Sequence, residues 1–139
     1  MPMTHVNALA ALVAAVLTMV LGAVWYSPAL FAKQWMAAQG HTPEALEQMK
    51  RKGMVRAYAV SFICYLVMAH VVALLASYTQ AATFAQGLWL GFLLWLGFAA
   101  TIGLTSHMFS LKPIAAWVID AGYQLAYLLI MGVVLALWR

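Results

Sequence analysis

Four stretches of apolar residues separated by polar breaks organise this chain: roughly Thr4–Trp25, Val55–Ser77, Phe84–Phe109 and Ile114–Trp138. A hydrocarbon core about 30 Å thick takes about 20 helical residues to cross, and each stretch is long enough. The pattern predicts an all-α fold, an integral membrane four-helix bundle. It forms a single domain over residues 1–139, with almost nothing left for a soluble unit.

The longest polar break lies between the first two stretches and has a local structure of its own. Ser27-Pro28 ends the first helix, because proline disfavours helix in the residue before it. Leu30, Phe31, Trp35 and Met36 then mix with Lys33 and Gln34, as in a short helix lying on a membrane surface. Gly40 breaks it. Thr42-Pro43-Glu44 reads as an N-cap, a proline at the first helical position and an acid in the first turn. That second segment runs to about Lys52, its basic end complements the helix dipole, and Gly53 stops it. The break therefore holds one or two short helices.

Composition adds orientation. The chain is 67% hydrophobic and 7% charged, against about 25% charged in soluble domains. Its net charge of +4 would by itself suggest a nucleic-acid partner. The distribution argues otherwise: Lys33, Lys50, Arg51, Lys52 and Arg56 all fall between the first two apolar stretches. That is the mark of a cytoplasmic loop beside a membrane, and no nucleic acid is expected. The loop around Tyr78–Thr83 has no basic residue, and the third loop holds Lys112. Loops one and three are thus expected in the cytoplasm of a bacterial inner-membrane protein, with both termini outside. No Lys or Arg precedes the first stretch, so it reads as a retained helix and not as a secretory signal. Trp25, Tyr26, Tyr78, Trp89 and Trp138 lie near the ends of the stretches, where aromatic rings favour the interface.

Small residues mark helix contacts in lipid. Ala10, Ala14, Thr18 and Gly22 form one ridge, and Gly87/Gly91, Ala99/Gly103 and Gly132/Ala136 repeat the same spacing. These fit contacts inside one bundle; the alternative makes Gly87/Gly91 a homodimer seam.

Asp120 is the one carboxylate inside an apolar stretch, since Glu44 and Glu47 lie in the first loop. A charge at membrane depth costs about 2.5–3.5 kcal/mol on insertion scales. Trp117, Asp120, Tyr123/Gln124, Tyr127 and Met131 recur at helical steps and share a face. Asp120 lies about 10 Å into its helix at about 1.5 Å per residue, in the cytoplasmic half. Thr101, Thr105, Ser106 and His107 reach the same level from the third stretch, Tyr58, Ser61 and Tyr65 from the second, and Trp25 and Tyr26 from the first. A cytoplasm-facing polar pocket centred on Asp120 and His107 is expected, with Tyr123, Gln124, Tyr127, Tyr26, Trp25, Ser61 and Tyr65 as binding residues. A carboxylate beside an imidazole can bind a cation, exchange protons or orient a ligand. The plainer reading makes Asp120 a tie between helices, worth about 0.6 kcal/mol on average for such bonds.

His70 faces away from Ser61 and Tyr65, and no third ligand accompanies it, so neither a metal nor a cofactor is expected. Lone Cys64 forms no intrachain disulfide. Gly-x-Ser-x-Gly, His-Glu-x-x-His, a phosphate loop and Cys-x-x-Cys are all missing, so no residue is assigned as catalytic.

Several of these residues carry a resemblance. Val6-Asn7, Leu21-Gly22-Ala23-Val24-Trp25-Tyr26-Ser27-Pro28 with Phe31, Lys33 and Trp35, Ser106-His107-Met108-Phe109, Ile119-Asp120-Ala121-Gly122-Tyr123 and Met131-Gly132 resemble a bacterial family designated domain of unknown function 1761. The resemblance spans nearly the whole chain. It implies a four-helix membrane protein and no established activity.

Two functions follow as expectations. One is binding or transport of a small polar or cationic solute at Asp120, with transport calling for a homodimer, because four helices are few for a transport path. Small multidrug-resistance transporters resemble the chain in size but carry their acid in the first helix, which here has none. The alternative is a non-catalytic accessory or assembly subunit docked on another membrane protein. A lipid enzyme with His107 as base ranks last.

Overall fold

The structure, a computed structural model, describes residues 5–39, 44, 47, 48 and 53–138. Among the described residues five continuous helices follow one another: α1 Ala8–Trp25, α2 Ala32–Gln39, α3 Met54–Tyr78, α4 Phe84–Phe109 and α5 Ile114–Leu137. No strand occurs among the described residues. All but α2 are long and apolar enough to cross a membrane. Glu44, Glu47 and Gln48 are also helical. The N-cap and basic end expected for that segment, Thr42-Pro43 and Lys50–Lys52, lie outside the described residues, as do Thr4, Gly40 and His41.

Local chemistry places the helix ends. The first apolar run opens at Thr4, but α1 begins at Ala8, because the Asn7 side chain accepts the Ala10 N–H at 3.1 Å. Thr83 and Gln86 cap the start of α4 reciprocally. At the C-termini of α3 and α4 the chain turns through Gln80 and Leu111, each at φ 56. The Ala81 N–H reaches back to the Ala76 carbonyl, and the Lys112 N–H to that of His107, the Schellman pattern. The left-handed conformation costs an L-residue about 1–2 kcal/mol, and neither position is glycine.

The helices alternate in direction, and α5 is the hub, touching all the others. The loop end of the bundle carries α2 and the 110–113 turn; the opposite end carries Asn7 and Trp138. On α1, Ala10, Ala14 and Thr18 are fully buried, so the ridge read from the sequence is a contact face. Gly22 completes it: a Cβ there would stand 2.7 Å from the Tyr123 hydroxyl oxygen. Large apolar side chains such as Val55, Ile63, Val67, Trp89, Phe98 and Val118 point outward, which suits a multi-pass membrane protein.

Helices α4 and α5 meet backbone to backbone through Gly87, Gly91 and Gly132. A Cβ on Gly87 would lie 2.6 Å from the Gly132 carbonyl oxygen and 2.8 Å from the Val133 Cα. This corrects the homodimer alternative for that ridge: Gly87 and Gly91 are covered by α5 of the same chain. At Trp95–Ala99 the helix widens by a π turn, with the Ala100 N–H bonded to the Trp95 carbonyl. Beyond it α4 packs on α5 far more loosely, and indoles bridge the gap. Trp95 Nε1–H donates to the Ala121 carbonyl at 2.8 Å, and Trp117 Nε1–H to that of Ala100 at 3.1 Å. Helices α3 and α4 scarcely touch, which leaves a lateral opening over α5.

Candidate functional site

The turn after α1 builds one wall of the site. Ser27 Oγ–H donates to the Val24 carbonyl at 2.6 Å, and the Phe31 N–H returns to the Trp25 carbonyl at 3.2 Å. The chain folds back, α2 lies against α5, and Trp35 reaches Asp120. The Asp120 Oδ1 accepts the Tyr26 hydroxyl at 2.6 Å and the Trp35 Nε1–H at 2.9 Å. Its Oδ2 lies 3.4 Å from His107 Nε2. The two side chains are only 22% and 13% exposed. Burial, reinforced by the hydrogen bond and negative charge of Asp120, pushes the Tyr26 hydroxyl well above the usual phenol range. Tyr26 therefore remains a donor to the carboxylate.

His107 has one defined tautomeric constraint. Its Nδ1 lies 2.8 Å from the Gly103 carbonyl oxygen, which can only accept, so Nδ1 carries a hydrogen. The buried Nε2 makes no hydrogen bond among the described residues and faces a carboxylate oxygen. Among the described residues His107 is the only basic side chain within 4.0 Å of a carboxylate.

Around this pair the expected residues divide. Tyr26, Tyr58, Ser61, Tyr65 and Tyr123 line a cavity of about 210 Å³ between α1 and α3, closed by Met19, Gly22 and Ala23. Tyr123 Oη–H donates to the Thr18 carbonyl at 2.8 Å and lies 3.2 Å from the Tyr65 hydroxyl. His107, Gln124 and Tyr127 instead line a larger cleft of about 630 Å³ between α3, α4 and α5. Tyr127 packs between the two, its ring 5.0 Å from Tyr123 and 5.4 Å from Tyr65. Trp25 does not touch the carboxylate. Its Nε1–H donates to the Ile119 carbonyl at 3.0 Å, and its ring occupies the space over Gly122, where a Cβ would lie 3.0 Å away. Trp25 thus packs against α5 inside the bundle.

Sequence reasoning missed Trp35 as a carboxylate partner and Tyr58 as a cavity residue. Tyr58 was legible, since it shares the Ser61/Tyr65 face. The signal for Trp35 was an indole on a short helix close behind the first span, but only the fold of the Ser27-Pro28 turn aims it inward. His70 is exposed and turned to the Leu66 carbonyl of its own helix at 2.8 Å. No three His, Cys, Asp or Glu side chains among the described residues could hold a metal together.

The family match covers nearly all of this architecture, from Leu9 on α1 to Ala136 on α5. The chain belongs to the family described as Protein of unknown function (DUF1761). The matched span, residues 9–136, includes Tyr26, Trp35, His107 and Asp120. No curated protein and no solved structure is similar enough to the chain to match it.

Proposed function

We propose that this DUF1761 protein spans a bacterial inner membrane four times, with both termini outside, and binds a small organic cation from the cytoplasmic side. The observation that carries the reading is the tyrosine-lined cavity backed by Asp120. Four phenol rings and the Ser61 hydroxyl surround about 210 Å³, and no Lys or Arg lines it among the described residues. Aromatic faces attract a cation within about 6 Å of the ring, by up to about 2 kcal/mol or more when desolvated. Tyr26 both lines the cavity and donates to the carboxylate, so a guest cation lies one side chain away from half-buried Asp120. Such a charge is weakly screened in a low-dielectric interior.

Trp25 and Trp35 stand against Tyr123 and Tyr26, with ring centroids 6.4 Å and 5.6 Å apart, so indole fluorescence reports the cavity. Tetramethylammonium is the cation probe, and tert-butanol, close in size and uncharged, is its control. The reading expects a saturable fluorescence change with the cation alone, weakened at least tenfold in Asp120→Asn. Equal responses to both probes, or an unchanged mutant, would sink it.

A second reading, the accessory subunit, is favoured by a specific observation. Donors from the α1 turn and α2 converge on Asp120, with His107 of α4 3.4 Å away, as a tie between elements requires. It expects no saturable cation response and a protein partner that survives Asp120→Asn.

A further inference from the structure

The larger cleft is a separate feature. Met68, Val71, Val72 and Leu75 of α3 form one wall, Leu94, Phe98, Ala99 and Ile102 of α4 the other, and Leu128 of α5 the floor. Its polar groups, Ser106, His107, Gln124 and Tyr127, gather toward the loop end. The rim is continuous with the outward surface of the bundle: Val71, Phe98 and Ile102 are 48%, 62% and 66% exposed. The cleft exists because α4 leaves α5 after the π turn, and Phe98 and Ala99 of that turn belong to its wall. Local π turns are frequent at functional sites.

We propose that this cleft holds one acyl chain of a membrane phospholipid as a resident ligand, with the ester and phosphate end against Ser106 and Gln124. Three observations select this occupant. The opening lies at mid-span between two helices that scarcely touch, so hydrocarbon is the medium it meets. Most of its lining is aliphatic or aromatic, and a largely apolar cleft is a poor host for water. Its volume, about 630 Å³, falls inside the range of about 300–1,000 Å³ typical of small-molecule sites. The hydroxyl of Ser106 and the amide of Gln124 supply the donors that a phosphate or ester oxygen accepts. His107 contributes its ring only, because its nitrogens face Gly103 and Asp120. The lipid lies against the outer side of the Tyr127 and His107 rings, so its presence steadies the wall that separates the cleft from the tyrosine cavity.

This inference rests on the membrane-spanning part of the proposed function and not on the cation. Resistance of the protein to carbonate extraction from its membrane checks that part separately. The test is native mass spectrometry of the full chain purified from vesicles of palmitoyl-oleoyl phosphatidylethanolamine, under progressive exchange into a delipidating detergent. Wild type is expected to keep one phospholipid per chain after the remainder is stripped. Leu75→Trp, which fills the cleft, should lower that occupancy at least tenfold. Ser106→Ala combined with Gln124→Leu, which leaves the cleft open, should lower it several-fold. Val118→Trp, on the outward face of α5, should leave it unchanged. A wild type that strips to bare protein overturns the proposal. So does equal retention in Leu75→Trp with its helical circular dichroism intact; if that variant loses helicity, retention in the Ser106/Gln124 double variant overturns it instead.

Discussion

Helices α4 and α5 meet twice, in two different ways. Toward the end that carries Trp138 they touch through Gly87, Gly91 and Gly132, with no side chain between the backbones. Toward the loop end they are held apart, and indoles, a histidine and a carboxylate span the distance. Glycine contacts gain dispersion and close approach but offer no chemistry. The separated half gives up that packing and gains a cleft lined in part by hydrogen-bonding groups. One helix pair thus divides the work, so that a rigid clamp positions a chemically equipped region.

The comparison breaks most severely at the clamp. Gly91→Leu would drive a side chain into the α5 backbone at Leu128 and Leu129. Overpacking typically costs about 1–3 kcal/mol and occasionally more, and rigid backbone on the far side puts this variant at the upper end. Loss of folded protein in detergent, followed by size exclusion and circular dichroism, is the expected outcome. Gly97 is the matched control: a Cβ there meets nothing within 4 Å, so Gly97→Ala should fold as wild type.

In the separated half, Asp120→Ala removes the acceptor of the Tyr26 hydroxyl and of the Trp35 indole N–H. Leaving a buried donor unpaired costs about 1–3 kcal/mol, discounted here because Asp120 keeps some exposure. Unfolding in mixed micelles should show a loss in that range, and Asp120→Asn, which retains an acceptor, should lose less. A result in which Asn is as damaging as Ala would assign the site's stability to the charge instead of the hydrogen bonds.

Leu111→Gly sharpens the comparison from the other direction. Leu111 is 91% exposed at φ 56, so glycine relieves a left-handed residue without removing a packed side chain. A gain of up to about 1 kcal/mol is expected, visible as a higher midpoint in the same unfolding assay. The smallest effect belongs to Tyr123→Phe, which removes the hydroxyl bonded to the Thr18 carbonyl. Interhelical bonds of this kind average about 0.6 kcal/mol, so a shift near the limit of detection is expected.

Much of this division is legible in the sequence. Hydropathy alone marks the four long helices, and the spacing of Ala10, Ala14 and Thr18 marks the buried face of α1, because close packing in lipid demands small residues. Depth counting along the third and fourth stretches brought His107 and Asp120 to one level, and they are 3.4 Å apart. The start of α1 moved from Thr4 to Ala8 because one Asn7 side chain outweighs a continuous apolar run in choosing where the first turn is capped. Trp35 stayed hidden because its partner is set by a chain reversal of a few residues, not by periodicity. The split of one expected pocket into two cavities was hidden for a related reason. Tyr127 packs against Tyr65 and Tyr123 between the two, and the cleft is walled in part by the π turn at Trp95–Ala99; no residue pattern in Trp-Leu-Gly-Phe-Ala announces a change in helical pitch.

That turn also makes helix winding a variable of the site. Each residue of an α-helix advances the chain by about 100° and 1.5 Å. Removing Gly97 together with the π turn would leave the residues after it facing nearly as they do now, because the turn already accommodates one residue more than α-helical winding would. Winding the same residues into an uninterrupted α-helix would instead swing every residue after the turn about a quarter of a revolution. His107 would then turn away from Asp120, and Ser106 would move toward its direction. Whether an imidazole faces the acid is therefore encoded by the π turn between Leu94 and Ala100 as much as by the histidine itself. A homologous chain with one residue fewer there and no π turn would keep the same side chain before the carboxylate.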